Sequence, residues 1–249
     1  MGPGLIVSLG RVVNSFDVAI VSFLNGFAHR SWTFDTFVYL LDFNSLLKVA
    51  PVLAMFWWAW FKEGESRTRN REFLLCGIFG CFLAVFVARA LAFTLPFRER
   101  PLRNPFLHFR LPYHMKPEHL LSWSAFPSDN AALHFALACS LLFVSRRVGA
   151  FLFSYIFLTV CFARVYLGIH YPTDMLAGAL IGIGITSLSK VPLIRTTATR
   201  PAMRWLHTDP GSFYACFFLI TFLLTETLGP LAELGGFFFT TMKAIIKLL

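Results

Sequence analysis

Three ionisable residues stand close together in Ala163-Arg164-Val165-Tyr166-Leu167-Gly168-Ile169-His170-Tyr171-Pro172-Thr173-Asp174, at the seam between two strongly apolar segments. Histidine can act as nucleophile or base, arginine binds anions, and aspartate can orient an imidazole. Pro172 fits the first turn of a helix and disfavours helical geometry at Tyr171. The spacing therefore predicts that Arg164 closes one helix, His170 lies in a short link and Asp174 falls in the first turn of the next. Charged groups at such a seam are costly unless solvated or paired, and within a membrane they mark function. Taken alone, the stretch also fits an interfacial arginine with a capping His and Asp.

Two further polar clusters stand upstream. Arg89 nears the end of an apolar run and is followed by Leu95-Pro96-Phe97-Arg98-Glu99-Arg100-Pro101-Leu102, while Phe126-Pro127-Ser128-Asp129-Asn130-Ala131 opens another run. Ser128, Asp129 and Asn130 are all good N-cap residues, so a well-capped helix accounts for the second cluster on its own. The start of a helix is also a ready anion site, and arginines around it complement phosphate oxygens with forked donors.

The elements that must position these clusters belong to a membrane protein. Of 249 residues, 57% are hydrophobic and 14% charged, with 30 Phe and 6 Trp, and the mean hydropathy is +0.65. That composition predicts an all-α, polytopic bundle of about six transmembrane helices. The net charge of +9 is no nucleic-acid footprint, because the basic residues sit in short gaps between apolar runs. They read as topology determinants plus a site for an acidic ligand. Cys76, Cys81, Cys139, Cys161 and Cys216 are scattered through apolar runs without CxxC spacing, which predicts buried thiols. The N-terminus shows no basic stretch leading into a long apolar one, so no cleavable signal is expected.

Residues 1–45 carry Asn14, Asp17, Asn25, His29, Arg30, Asp35 and Asp42 among apolar positions, which predicts amphipathic helices lying at the interface. Spans are expected at about 46–61, 73–95, 131–144, 150–167, 175–188 and 212–228, with a Pro-rich surface loop over 96–124. A polar linker over 190–211 and a short amphipathic tail beyond Pro230 complete a single domain without internal repeats. Lys62, Arg67, Arg69, Arg71, Arg146, Arg147, Lys190, Arg195, Arg200 and Arg204 fall on one side of this layout. The positive-inside rule makes that side cytoplasmic and turns the long loop and the His170 link outward.

The three outward clusters together resemble the type 2 phosphatidic acid phosphatase (PAP2) superfamily of membrane lipid phosphatases. Its motifs are K-x6-R-P, P-S-G-H and S-R-x5-H-x3-D, and the resemblance covers about 73–184. Arg164, His170 and Asp174 match the third motif, with Ala163 in place of Ser. Arg100-Pro101 matches the end of the first, but Phe93 stands where the lysine belongs, so Arg89 or Arg98 must supply that cation. Pro127-Ser128 matches the second, Asp129 replaces Gly, and Asn130 replaces the histidine. The resemblance implies that His170 attacks phosphorus to form a phosphohistidine, with Asp174 orienting its ring. It implies too that Arg100, Arg164 and Arg89 or Arg98 hold the phosphate at the start of the Ser128–Asp129 helix. No metal or other cofactor is implied.

Asn130 has no useful proton to donate to the leaving oxygen. Either the chain is an inactivated variant, or it is a non-catalytic relative that binds or carries a phospholipid, or His134, His108, His114 or His119 supplies the proton. Resemblance to bacterial members with a Pro-Ser-Asp-His second motif favours undecaprenyl diphosphate as substrate, in the bacterial cytoplasmic membrane with the site facing outward. Phosphatidylglycerophosphate, phosphatidate, lipid A phosphates and phosphoryl transfer to another lipid stay open. A transporter or channel is the rival class, opposed by the lack of paired broken helices.

Overall fold

The computed structural model describes residues 14–116 and 123–225, and all regular structure among them is helical. Two compact units follow one another along the chain, Met1–Thr199 and Arg200–Leu249. The helices are α1 (Ser15–Asn25), α2 (Trp32–Phe43), α3 (Ser45–Lys48), α4 (Ala50–Phe61), α5 (Arg67–Thr94), α6 (Asp129–Val144), α7 (Arg146–Ile156), α8 (Ala163–Tyr166), α9 (Pro172–Ser187), α10 (Pro192–Thr208) and α11 (Pro210–Thr225). A π-helical stretch, Phe157–Phe162, joins α7 to α8.

Two of these stretches, Arg67–Thr94 and Arg146–Tyr166, are long and apolar enough to cross a membrane, and α1, α4, α6 and α11 are shorter apolar helices. The 28 residues of α5 extend about 42 Å at 1.5 Å per residue. Its outward face carries Phe79, Leu83 and Phe86, all exposed and spaced along one helical stripe, the reverse of a water-soluble surface. The predicted first span is interrupted. Asn44 caps α3 by accepting from Leu46 N and Leu47 N, and the chain resets at Val49 before α4, leaving α4 only 12 residues. The expected polar linker is the 17-residue helix α10, with Pro201 inside it. The predicted tail beyond Pro230 lies outside the described residues.

Helix α6 is the centre of the first unit, buried along nearly its whole length between α5 and α9. Glycines permit that closeness. A Cβ at Gly178 would stand 2.2 Å from the Ser128 carbonyl oxygen, and one at Gly182 would stand 2.1 Å from that of Ala132. Gly178 and Gly182 form a small-xxx-small stripe on α9, a pattern that lets membrane helices bring their backbones together. This packing fixes the start of α6 against the start of α9, where the second and third polar clusters lie. In the second unit, Asp209 caps α11 by accepting from Ser212 N at 3.2 Å, and Trp205 Nε1 donates to Ser212 Oγ at 2.7 Å.

Gly182→Ala should lower stability by about 1–3 kcal/mol, the usual cost of overpacking. Gly184, with no atom within 4 Å of its would-be Cβ, should accept alanine without loss. Thermal unfolding in detergent compares the two.

Candidate active site

The three polar clusters converge at one end of the α5, α6 and α9 bundle, laced together largely by backbone hydrogen bonds. Ser128 N donates to the Asp174 carbonyl at 3.1 Å, Leu102 N to the Gly168 carbonyl at 3.0 Å, and Ala125 N to the Arg98 carbonyl at 2.9 Å. Asn104 Nδ2 donates to Tyr171 Oη at 3.1 Å, fixing the loop between two 3₁₀ turns on the 167–171 link. Gly168 turns that link at φ +73°, where a Cβ would collide with Phe109 and Leu102.

His170 is buried at the centre of this lacing. Its Nδ1 lies 2.8 Å from the Ala125 carbonyl oxygen, which can only accept, so Nδ1 carries the proton and Nε2 a lone pair. The Nε2 atom lies 3.4 Å from Arg100 Nη1 and 3.4 Å from Arg164 Nη1. Burial, then Arg100 and Arg164, push the His170 pKa well below its ordinary value, while Asp129 pulls the other way. A neutral imidazole with its free nitrogen between two guanidinium groups can attack an anionic centre that both arginines hold. Arg100 is pinned by donating from Nη1 to the Ile169 carbonyl at 2.8 Å. Burial, and then the charge of Arg164, lower its pKa to about 10, so it stays cationic at neutral pH.

The orienting hydrogen bond on His170 therefore comes from a backbone carbonyl and not from Asp174. Asp174 Oδ2 lies 3.5 Å from His170 Nδ1 but 2.7 Å from Tyr171 N, which donates to it in a capping box, and Oδ1 accepts from Arg98. Asp174 sits at N3 of α9, where the free amide closes on it first.

The two candidate cations for the missing lysine occupy different places. Arg98 is engaged by the protein: Nη2 donates to Asp17 Oδ2 at 2.5 Å, Nη1 to Thr173 Oγ1 at 2.8 Å, and the guanidinium lies 4.3 Å from the Tyr171 ring centre. Both Nη groups of Arg98 are thus taken by the protein, cross-linking α1 to the start of α9. Arg89 Nε donates to Asp129 Oδ2 at 3.3 Å, and Asp129 lies close enough to interact electrostatically with Arg164 and His170. Phe93 points outward, 75% exposed.

Ser128 caps α6, accepting from Ala131 N at 3.3 Å. Asn130 is buried in the first turn, its Nδ2 donating to Asp129 Oδ1 at 3.2 Å. His134, one turn deeper, is fully buried with Nδ1 2.8 Å from the Asn130 carbonyl oxygen. His108 and His114 lie exposed in the loop, and His119 lies outside the described residues. Among the described residues no group of three or more His, Cys, Asp or Glu is placed to hold a metal ion.

Three further residues were read from sequence only as polar interruptions of interfacial helices. Asp17, Asp35 and Asp42 are 0%, 0% and 1% exposed, each tied to the site from α1 or α2. Asp17 accepts from Arg98 and from Thr173 N at 3.0 Å. Asp35 accepts from Tyr166 Oη, from His29 N at 2.9 Å and from Tyr113 N at 3.0 Å. Asp42 accepts from Arg164 Nε at 2.8 Å. Their placement, one acid in α1 and two in α2 among exposed aromatics, was the signal available, but an aspartate facing headgroups produces the same pattern.

Residues 73–192 match the PAP2 superfamily. This segment is a PAP2 superfamily domain. The chain is 23% identical over 173 residues to the putative undecaprenyl-diphosphatase YbjG of Escherichia coli (strain K12), covering 69% of this chain and 80% of that protein. It is 26% identical over 160 residues to the undecaprenyl-diphosphatase BcrC of Bacillus subtilis (strain 168), covering 64% and 75%. The crystal structure of Aquifex aeolicus LpxE superposes with a TM-score of 0.50 at 22% identity, over 71% of this chain and 96% of that one, which shows a shared all-helical PAP2 membrane fold.

Two outcomes follow from this geometry. Arg98→Ala strands the buried Asp17 and Asp174, so it should cost about 3–5 kcal/mol. Arg89→Ala, breaking a pair that is 27% exposed on each side, should cost about 1 kcal/mol or less. Thermal unfolding of both variants checks the contrast. The depressed His170 pKa also has a sign: the unfolded chain takes up a proton near pH 6.5 that the folded chain refuses. Stability should then fall as pH drops below about 6.5, by up to about 1.4 kcal/mol per pH unit, and His170→Gln should show a shallower slope.

Proposed function

We propose that the chain is a metal-independent membrane lipid phosphatase of the PAP2 type. Its favoured substrate is a polyprenyl diphosphate such as undecaprenyl diphosphate, taken from the outer face of the bacterial cytoplasmic membrane. The observation that carries this reading is the placement of His170 Nε2 3.4 Å from both Arg100 Nη1 and Arg164 Nη1, with Nδ1 tied to Ala125. Such a site binds phosphate oxygens through preorganised guanidinium donors, the main source of stabilisation in phosphoryl transfer.

In this mechanism the terminal phosphate lies between Arg100 and Arg164, with Arg89 as the third cation beside Asp129. The Nε2 lone pair forms the N–P bond, and the bridging P–O bond breaks with its electron pair on the leaving oxygen. Water then displaces His170 from phosphorus, releasing inorganic phosphate. The Ala125 carbonyl steadies the ring through Nδ1 while the imidazole becomes cationic, and Asp174 is the nearest carboxylate.

Asn130 stands at the family's general-acid position and cannot protonate the leaving oxygen. That loss should not weigh equally on all substrates. An alkoxide leaving from a monoester needs the proton, whereas a phosphate monoester leaving from a diphosphate has a second pKa of about 6 and departs near neutral pH as an anion. The substitution therefore favours a diphosphate, in keeping with the names of the two relatives. A protein that binds lipid phosphate without turning it over is the second reading, and Asn130 is its support.

Phosphate release from undecaprenyl diphosphate and from phosphatidate, measured in detergent with EDTA, tests these readings. The chain should be slow on the diphosphate and nearly silent on phosphatidate. Asn130→His should raise turnover of phosphatidate by about 10²- to 10⁴-fold and that of the diphosphate by less. Silence of both proteins on both lipids would overturn the phosphatase reading in favour of binding or transport.

A further inference from the structure

Asp42 lies outside the PAP2 match, on the last turn of α2, yet it touches a residue at the centre of the site. Its Oδ1 accepts from Arg164 Nε at 2.8 Å, across 122 positions of sequence, and Lys48 Nζ approaches the same oxygen at 3.6 Å. The carboxylate is 1% exposed. Burial would raise its pKa, but Arg164 and then Lys48 outweigh that and hold it below the usual carboxylate range. It is a charged partner, fixed where no solvent competes.

A guanidinium has a rigid fork of donors on a long, mobile stem, and it binds an anion well only when the fork already faces the right way. Asp42 occupies the Nε donor of Arg164, and Nη1 is the atom 3.4 Å from His170 Nε2. Arg100 is held differently, through the Ile169 carbonyl. Two like charges converging on one imidazole repel each other, and each needs its own acceptor to keep it in place. α2 supplies the acceptor for Arg164.

We propose that Asp42 is a positioning residue for phosphate binding, acting through Arg164 to aim its Nη1 edge at the phosphate beside His170. The inference rests on the reading of this site as a phosphate site. It makes the N-terminal helices part of the functional unit: a chain reduced to residues 73–192 would hold every motif and lack the acceptor that aims one of its arginines.

The test is the affinity of the full chain for orthovanadate, a phosphoryl mimic, by titration calorimetry in detergent. It is run on the parent, Asp42→Leu, Arg164→Ala and the double variant. Asp42→Leu removes the charge and accepts no hydrogen bond. It should weaken binding by about tenfold or more, the scale of a charge-assisted hydrogen bond, yet change affinity by less than about threefold once Arg164 is alanine. A residue that merely supports the fold would lower the melting temperature without that non-additivity. Unchanged affinity in Asp42→Leu, or losses that simply add, overturns the proposal. Should Asp42→Leu fail to fold, Asp42→Glu decides: it keeps the charge but displaces the guanidinium by a methylene. A loss of about fivefold or more sustains the positioning role, and parental affinity overturns it. Vanadate binding that ignores Asp42 sinks this role alone, whereas no binding by any of the proteins, parent included, sinks the phosphate reading together with it.

Discussion

Buried positive charge is the constraint around which this end of the molecule is arranged. Arg98, Arg100 and Arg164 lie within a few residues of His170 or Asp174 in space, all with little exposure. Unpaired guanidinium groups would be expelled from such a place, since each buried ion costs several kcal/mol unless its donors are met. Every arginine of the cluster has an acceptor: Arg98 has Asp17 and Asp174, Arg164 has Asp42, Arg100 has a backbone carbonyl, and Arg89 has Asp129. The neutral state of His170 belongs to the same arrangement, because a third cation there would be buried and repelled by both Arg100 and Arg164.

This arrangement divides the arginines into two kinds. Arg98 is held by two carboxylates and a tyrosine face, and its task is to join α1, the first loop and the start of α9. Arg100 and Arg164 are each held by part of the guanidinium only, and both turn an Nη1 toward Nε2 of His170. A guanidinium with both Nη groups taken by carboxylates makes a poor ligand for phosphate, whereas one held at Nε or by one hydrogen bond keeps Nη donors in reserve. The distinction turns on a few ångströms of side-chain placement.

The backbone contributes as much as the side chains. The 124–128 segment gives a carbonyl to His170 and an amide to the Asp174 carbonyl, so a movement of α6 against α9 would disturb the nucleophile directly. Gly178 and Gly182 hold that register by close contact. Packing deep in the bundle and chemistry at its mouth are thereby linked.

The sequence by itself determined the all-helical membrane class, the breaks at Pro172 and at the Pro-rich loop, and the three clusters that mark the PAP2 motifs. These are local properties: hydropathy over a window, φ fixed by proline, and residue types at short spacing. It also carried the absence of a histidine at position 130, which is a matter of identity alone. Tertiary structure decided what local pattern cannot. It separated Arg89 from Arg98, which are nine positions apart and chemically alike, by which carboxylate each one meets. It assigned the His170 Nδ1 bond to the carbonyl of Ala125, a group every residue has and no sequence displays. It turned Asp17, Asp35 and Asp42 inward, because α1 and α2 fold back onto the site: Asp17 and Asp42 are counter-charges that its buried cations require, and Asp35 is met by the Tyr166 hydroxyl and two backbone amides.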